Sequence, residues 1–207
     1  MRFEVGGVAL ELVDSSSDYA PSDDTQMLPE TALTNAHDGY SVLEIGTGSG
    51  AVILTLAKSS VKFTSLVAVD INADAVKTAR ANAKANKIES VKFFQSDLFA
   101  SLPASSHFNL ILFNPPYLPT ANADKVAGSL NAAFDGGRDG LKVVRRFLAR
   151  VGKHLAPSGH ILLVVSSLQP KDKLEKLLVQ HHFSYCMLSS QSFFFENLQV
   201  WELSASK

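Results

Sequence analysis

Hydrophobic and polar positions alternate in two ways along this chain. Over residues 2–13 the period is two: Phe3 and Val5 precede Gly6-Gly7, and Val8, Leu10 and Leu12 follow. Alternating arms around a Gly-Gly pair predict a small hairpin. A polar stretch at 14–18 comes next, and residues 19–25 lead into a short apolar helix that stops before His37-Asp38-Gly39. Asp23, Asp24 or Thr25 can cap that helix. From Ser41 onward, short apolar runs alternate with amphipathic ones. The runs 42–45, 66–69, 91–95, 108–113 and 161–165 read as strands, 108–113 as a buried one, and 51–58, 73–86, 138–155 and 171–181 as helices. Residues 183–188 and 194–203 read as a closing antiparallel pair. Strands alternating with helices of this length predict an α/β chain: one mostly parallel sheet covered on both faces. No repeat, low-complexity tract or linker interrupts the sequence.

Composition narrows the function classes. The 207 residues are 46% hydrophobic and 19% charged, which suits one domain with a sizeable core. Net charge is −1, so no basic surplus marks nucleic acid as an obligate partner. The single cysteine, Cys186, rules out an intramolecular disulfide, fits a reducing compartment, and reads as buried filler rather than a nucleophile. The start lacks a basic-then-apolar signal, and no run reaches the roughly 18 apolar residues that span a bilayer. The chain is therefore expected to be soluble and cytoplasmic, with the nucleus as a second location, and to have no membrane partner. The six histidines lack ligand spacing, so no metal is expected.

The candidate chemistry sits at strand ends. Phe113-Asn114-Pro115-Pro116-Tyr117 closes the apolar run 108–113. Neither proline can donate to a sheet ladder, and each fixes its own φ, so the run ends in a rigid, donor-poor corner. Asn114 can aim a side-chain carbonyl into it, the Pro115 carbonyl has no neighbouring N–H competing for it, and Tyr117 adds a flat face. Two fixed acceptors beside an aromatic plate suit a planar amino group, which has two hydrogens to give. Asn-Pro-Pro can also be no more than a turn. Further strand ends shift the balance. Residues 46–50 read G-x-G-x-G, a turn that lets the backbone approach a ligand at a helix amino terminus. Asp70 follows roughly 20 residues on, where a carboxylate can hold both ribose hydroxyls. Asp97 ends the next strand and can accept from an adenine amine. Each is weak alone, since aspartate at a strand end is often a turn former; four successive strand ends bearing such groups are not.

Together, Glu44-Ile45-Gly46-Thr47-Gly48-Ser49-Gly50, Asp70, Asp97 and Asn114-Pro115-Pro116-Tyr117 resemble a class I methyltransferase using S-adenosylmethionine, of the amino-methylating branch. Residues 19–25 and Phe134-Asp135-Gly136-Gly137-Arg138-Asp139-Gly140 are similar to the HemK-like glutamine methyltransferases of the eukaryotic and archaeal type, and the likeness covers nearly the whole chain. Ala20 departs from it, standing where that family usually has an acidic residue. The resemblance implies a single Rossmann-like domain (residues 41–207) with a seven-stranded sheet, preceded over residues 1–40 by the hairpin and a cofactor-closing segment. It also implies site roles. Glu44, Gly46 and Gly48 would lie near the methionine moiety and Asp70 on the ribose. Asp97 and the Leu98 backbone would hold adenine, Thr25 would close over the carboxylate, and Asn114, Pro115, Pro116 and Tyr117 would hold the acceptor. The implied substrate is the Gly-Gly-Gln loop of a class I release factor, alone or with its GTPase partner. Adenine in DNA or RNA presents the same flat amino group, and a histone lysine and a non-catalytic binding module are the remaining alternatives.

The run 91–95 carries Val91, Phe93 and Phe94 with little charge beyond Lys92, and in the usual strand order of this fold it lies at a sheet edge. Such an edge must be covered. A local helix can do it; the resemblance instead implies a small zinc-binding activator subunit that adds a strand there, forming a heterodimer.

Overall fold

The computed structural model describes residues 1–13, 26–119 and 136–206. The hairpin forms as β1 (Arg2–Val5) and β2 (Val8–Glu11), paired antiparallel. After it come α1 (Met27–Asn35), β3 (Ser41–Ile45), α2 (Ala51–Lys58), β4 (Ser65–Asp70), α3 (Ala73–Ala85), β5 (Val91–Gln95) and β6 (Phe108–Phe113). The remainder is α4 (Lys142–Val151), β7 (Leu155–Ser166), α5 (Lys171–Gln180), β8 (Phe183–Ser192) and β9 (Asn197–Ala205). Seven strands make one sheet in the order β5-β4-β3-β6-β7-β9-β8, parallel except at β9, which pairs antiparallel with both neighbours.

The sheet is buried on both faces because its central strands are apolar at nearly every position. Val42, Leu66, Leu110, Leu112 and Leu162 face the hairpin and α1 to α3. Leu43, Val67, Ile111, Phe113 and Ile161 face α4 and α5. Strand order reverses between β3 and β6, and open α/β sheets bind ligands at the carboxyl end of that crevice. Register fixes what meets there: Ile45 pairs with Phe113, so Gly46 and Asn114 leave their strands side by side.

Several expectations need correction. The fifth parallel strand starts at Leu155 rather than Ile161, because the strand continues through a bulge at Pro157-Ser158-Gly159; pairing jumps from Phe108↔Leu155 to Leu110↔His160. Helix α4 spans Lys142–Val151 rather than 138–155, since Gly137 and Gly140 adopt left-handed φ of 75° and 69° and hold the chain out of helix until Leu141. The first closing strand runs to Ser192, longer than expected, and the second is shifted to Asn197–Ala205; Phe194 and Phe195 lie in the turn. Helix α1 is capped by Gln26 without a side-chain bond, and the caps expected at Asp23, Asp24 or Thr25 lie outside the described residues. Cys186 is exposed on edge strand β8, not buried. Its thiol is pushed up by partial desolvation and by Glu202, whose carboxylate lies 3.6 Å from the sulfur, so it is held protonated and is a poor nucleophile. No described helix is long and apolar enough to cross a membrane.

Candidate active site

Four successive carboxyl ends of the sheet converge on the crevice. At the end of β3, Gly46, Gly48 and Gly50 all have positive φ (72°, 52° and 82°), which glycine alone adopts without a Cβ penalty. The turn is stitched to β4 through Gly46 N–H and Thr47 N–H, which both donate to the Val69 carbonyl (2.8 and 3.1 Å). Asp70, the last residue of β4, receives Gly48 N–H at 3.0 Å on one carboxylate oxygen and Asn72 N–H at 2.8 Å on the other. Burial pushes the Asp70 carboxyl up, while those backbone donors work against the shift.

Glu44 lies one layer beneath. Its strand neighbours in register are Ala68 and Leu112, and it is 3% exposed. Thr47 Oγ1 donates to it at 2.6 Å. Desolvation nevertheless lifts its pKa from 4.5 to about 8. A raised carboxyl pKa means that the folded chain keeps a proton the unfolded chain releases. Stability should therefore fall as pH rises from about 4.5 toward 8, by roughly 1.4 kcal/mol per pH unit. Glu44→Gln, which keeps an acceptor for Thr47 and cannot ionise, should remove about one proton's worth of that slope. Denaturant unfolding of both proteins between pH 5 and pH 8 would measure it; parallel slopes would refute the buried neutral carboxyl.

At the end of β5, Ser96 N–H donates to the Asp70 carbonyl at 2.8 Å, which brings Asp97 and Leu98 alongside. Leu98 has a left-handed φ of 53°, rare for a branched residue, so its backbone is turned against its own side chain. Ser96 Oγ holds that turn by donating to the Leu98 carbonyl at 2.9 Å and accepting Ser101 N–H at 2.9 Å. Asp97 is half-exposed, and one of its oxygens is held by Arg146 of α4 at 2.6 Å.

At the end of β6, Pro115 is buried, and Asn114 Oδ1 is buried with no hydrogen-bond partner. Leaving such an acceptor unsatisfied costs about 1–3 kcal/mol. Residues 136–140 press on this corner. Gly136 N–H donates to the Leu118 carbonyl at 3.2 Å, and Gln169 Nε2 donates to the Gly140 carbonyl at 2.7 Å. A Cβ on Gly140 would stand 2.3 Å from the Tyr117 carbonyl oxygen. Gly140→Ala should thus push Tyr117 out of place and lower turnover by about tenfold or more, with cofactor affinity little changed; unaltered steady-state rates would show that Tyr117 needs no such support.

The structure brings Gly46, Gly48, Asp70, Asp97, Leu98 and the Asn114 corner onto one rim, with Glu44 buried beneath it. Thr25 lies outside the described residues, as do Ala20 and residues 120–135 of the loop after Leu118. Residues not foreseen from the sequence complete the frame. Asn82 of α3, fully buried, donates to the Ser49 carbonyl (2.8 Å) and accepts Val13 N–H (2.7 Å), joining the glycine turn to the segment after the hairpin. Its only signal was a polar residue on an alanine-rich helix face.

Comparison with known proteins agrees with this geometry. The family model described as the methyltransferase small domain matches residues 22–195. The chain belongs to that family. It is 40% identical over 180 residues to a protein of Methanocaldococcus jannaschii provisionally named protein N5-glutamine methyltransferase, covering 86% of each chain. It is 35% identical over 152 residues to the release factor glutamine methyltransferase of Koribacter versatilis, covering 70% of this chain and 54% of that one, so it spans about half the length of this bacterial relative. The fold matches a chain of the E. cuniculi Mtq2–Trm112 complex, described as responsible for methylating the eRF1 translation termination factor (TM-score 0.68, 22% identity, 91% of this chain and 98% of that one). It also matches a T. thermophilus 16S rRNA methyltransferase in complex with AdoMet and guanosine (TM-score 0.72, 20% identity, 100% of this chain and 50% of that one).

The cofactor of this class I methyltransferase is S-adenosylmethionine, and the residues present fit it. The glycine turn provides backbone at a helix amino terminus, Asp70 offers a desolvated carboxylate at a strand tip, and the left-handed turn at Leu98 follows directly on the strand beside it. No group of His, Cys, Asp and Glu among the described residues could hold a metal ion.

Proposed function

We propose that the chain methylates the side-chain amide of a glutamine in a protein, and that the glutamine belongs to the Gly-Gly-Gln loop of a class I release factor. The observation that carries this reading is Asn114 Oδ1, a buried acceptor without a partner at the head of a proline corner. A carboxamide has two N–H hydrogens; Asn114 Oδ1 and the Pro115 carbonyl would accept one each, with Tyr117 flanking the plane. The archaeal relative, similar along 86% of its length, supports glutamine over adenine or lysine as the acceptor.

An amide nitrogen is a weak nucleophile because its lone pair is delocalised into the carbonyl. S-adenosylmethionine, when bound, supplies a methyl group on a sulfonium, whose S–C bond breaks as the N–C bond forms. The protein's part is positioning and charge complementarity. Hydrogen bonds to Asn114 and Pro115 hold the nitrogen in line and draw electron density onto it. The glycine turn, Asp70, Asp97 and Leu98 would hold the cofactor, with Glu44 beneath its methionine end; Thr25, outside the described residues, is the residue assigned to its carboxylate. No side chain is assigned as general base, since the methylated amide can lose its extra proton to water.

Two further proposals concern partners. Strand β5 is an edge of the sheet, with Phe94 42% exposed; one of its carbonyls, that of Phe93, is taken by Arg80 at 2.6 Å. Beside it lies a groove of about 390 Å³ lined by Arg80, Lys84, Lys87, Ile88, Val91 and Phe93. A small zinc-binding activator subunit would cover that edge, and co-expression with it should raise the soluble yield. The release factor would be presented alone or with its GTPase partner, in the cytoplasm and secondarily the nucleus. Mass spectrometry of the release factor, incubated with enzyme, activator and cofactor, tests the central reading. A 14-dalton gain on the loop glutamine is expected, by the arithmetic of one methylene added, and its absence there would overturn the assignment.

A further inference from the structure

The turn joining β8 to β9 holds two phenylalanines in water. Phe194 is 92% exposed and Phe195 85%, and their rings meet edge to face with centroids 4.6 Å apart. Folding gains nothing from them, since neither removes apolar surface from solvent. The turn is nonetheless firmly built. Phe193 packs against the core, and its N–H donates to the Glu196 carbonyl at 2.7 Å. Ser166 Oγ donates to the Glu196 carboxylate at 2.7 Å, Ser167 N–H donates to the Asn197 carbonyl at 2.9 Å, and Asn197 N–H returns to Ser167 Oγ at 2.9 Å. A braced turn carrying two bare aromatic rings is built for contact.

Its place in the sheet indicates with what. Strand β7 runs parallel to β6, with Phe113 opposite Leu163, and Ser166 lies three residues further on. Leu198 pairs with Ser166 and Asn197 with Ser192, so the turn stands at the carboxyl end, above the level of Asn114. Hydrogen bonds make the rim continuous: Ser166 N–H donates to Gln169 Oε1 at 3.0 Å, and Gln169 Nε2 donates to the carbonyl of Gly140, a residue so close to Tyr117 that a Cβ on it would strike the Tyr117 carbonyl. Between them, Leu168 is 41% exposed. At one strand spacing of about 4.8 Å each, the turn is some 10–15 Å across the sheet from β6.

We propose that Phe194, Phe195 and Leu168 form a docking ledge for an apolar side chain of the protein substrate, on the extended segment adjoining the methylated loop. This rests on the protein-glutamine reading above. Extended chain covers about 3.3 Å per residue, so the recognised side chain lies roughly three to five positions from the glutamine. A free glutamine, or a peptide ending within two residues of it, cannot reach the ledge.

The test compares wild type with the double variant Phe194→Ser, Phe195→Ser on two acceptors: the intact release factor, and a short peptide carrying the loop glutamine with two residues on each side. The double variant should raise KM for the intact protein by about tenfold or more, as loss of an aromatic anchor does. Its kcat, its cofactor affinity and its rate on the short peptide should match wild type. Equal KM values on the intact protein would overturn the ledge alone. So would sedimentation showing that wild type pairs with itself and the variant does not, since the rings would then serve a second copy of this chain. If wild type methylated glutamine in neither acceptor, the substrate reading would fail and the ledge with it.

Discussion

Replacing Asn114 with alanine should lower kcat by about 10²–10³-fold, the loss typical when one prepositioned polar partner is taken from a reacting group. The folded protein should meanwhile be no less stable than wild type. Asn114 Oδ1 is buried and unpartnered, so the folded state already carries the desolvation cost of that acceptor. Alanine removes the cost and opens little space at a half-buried position. A residue that weakens the fold where it stands, and whose loss stops the reaction, is retained for function. Single-turnover rates, cofactor titration and thermal unfolding of the one variant decide it. A rate within threefold of wild type would refute the two-acceptor corner, and a large drop in melting temperature would mean that Asn114 is a structural residue.

The second large effect falls on cofactor affinity. Asp70→Ala should weaken binding of S-adenosylmethionine or its demethylated product by about 10²-fold or more, equivalent to roughly 3 kcal/mol. The carboxylate has two duties. It accepts Gly48 N–H and Asn72 N–H, which ties the glycine turn to the end of β4, and a carboxylate has further lone pairs with which to accept from the two hydroxyls of a ribose. Hydrogen bonds to a charged acceptor contribute about 1.5–3 kcal/mol each, so losing them is enough for the predicted shift. Asp70→Asn, which keeps one oxygen acceptor and adds a donor, should fall in between. Calorimetric titration of the three proteins would give the order; equal affinities would detach Asp70 from the cofactor.

Much of this was legible along the chain because strand and helix signals are local. The boundaries of α2, β5 and β6 fall where the sequence places them, because short runs rich in β-branched and aromatic residues mark the strands and helical spacing marks residues 51–58. The corner at Asn114 was legible for a different reason: consecutive prolines allow few backbone paths, so their consequence can be written down before any fold is known. Local signals misled where glycine, proline and aromatic residues have more than one use. Pro157-Ser158-Gly159 became a bulge inside β7, and Phe194-Phe195 became a turn although phenylalanine favours strands. Cys186 was exposed because β8 lies at the sheet edge, and strand order is not written in any one segment.

The sequence by itself determined the alternation of strands and helices, the glycine turn, the carboxylates at strand ends and the donor-poor corner, since each depends on the conformational limits of residues near in the chain. Only the tertiary structure decided which of them meet. Gly46 stands beside Asn114 because β3 pairs with β6, an adjacency between segments 68 residues apart. Burial between Ala68 and Leu112 keeps Glu44 protonated toward pH 8, and Arg146 reaches Asp97 because α4 folds back across the sheet. Solvation and long-range pairing belong to the assembled core, and no window of sequence contains them.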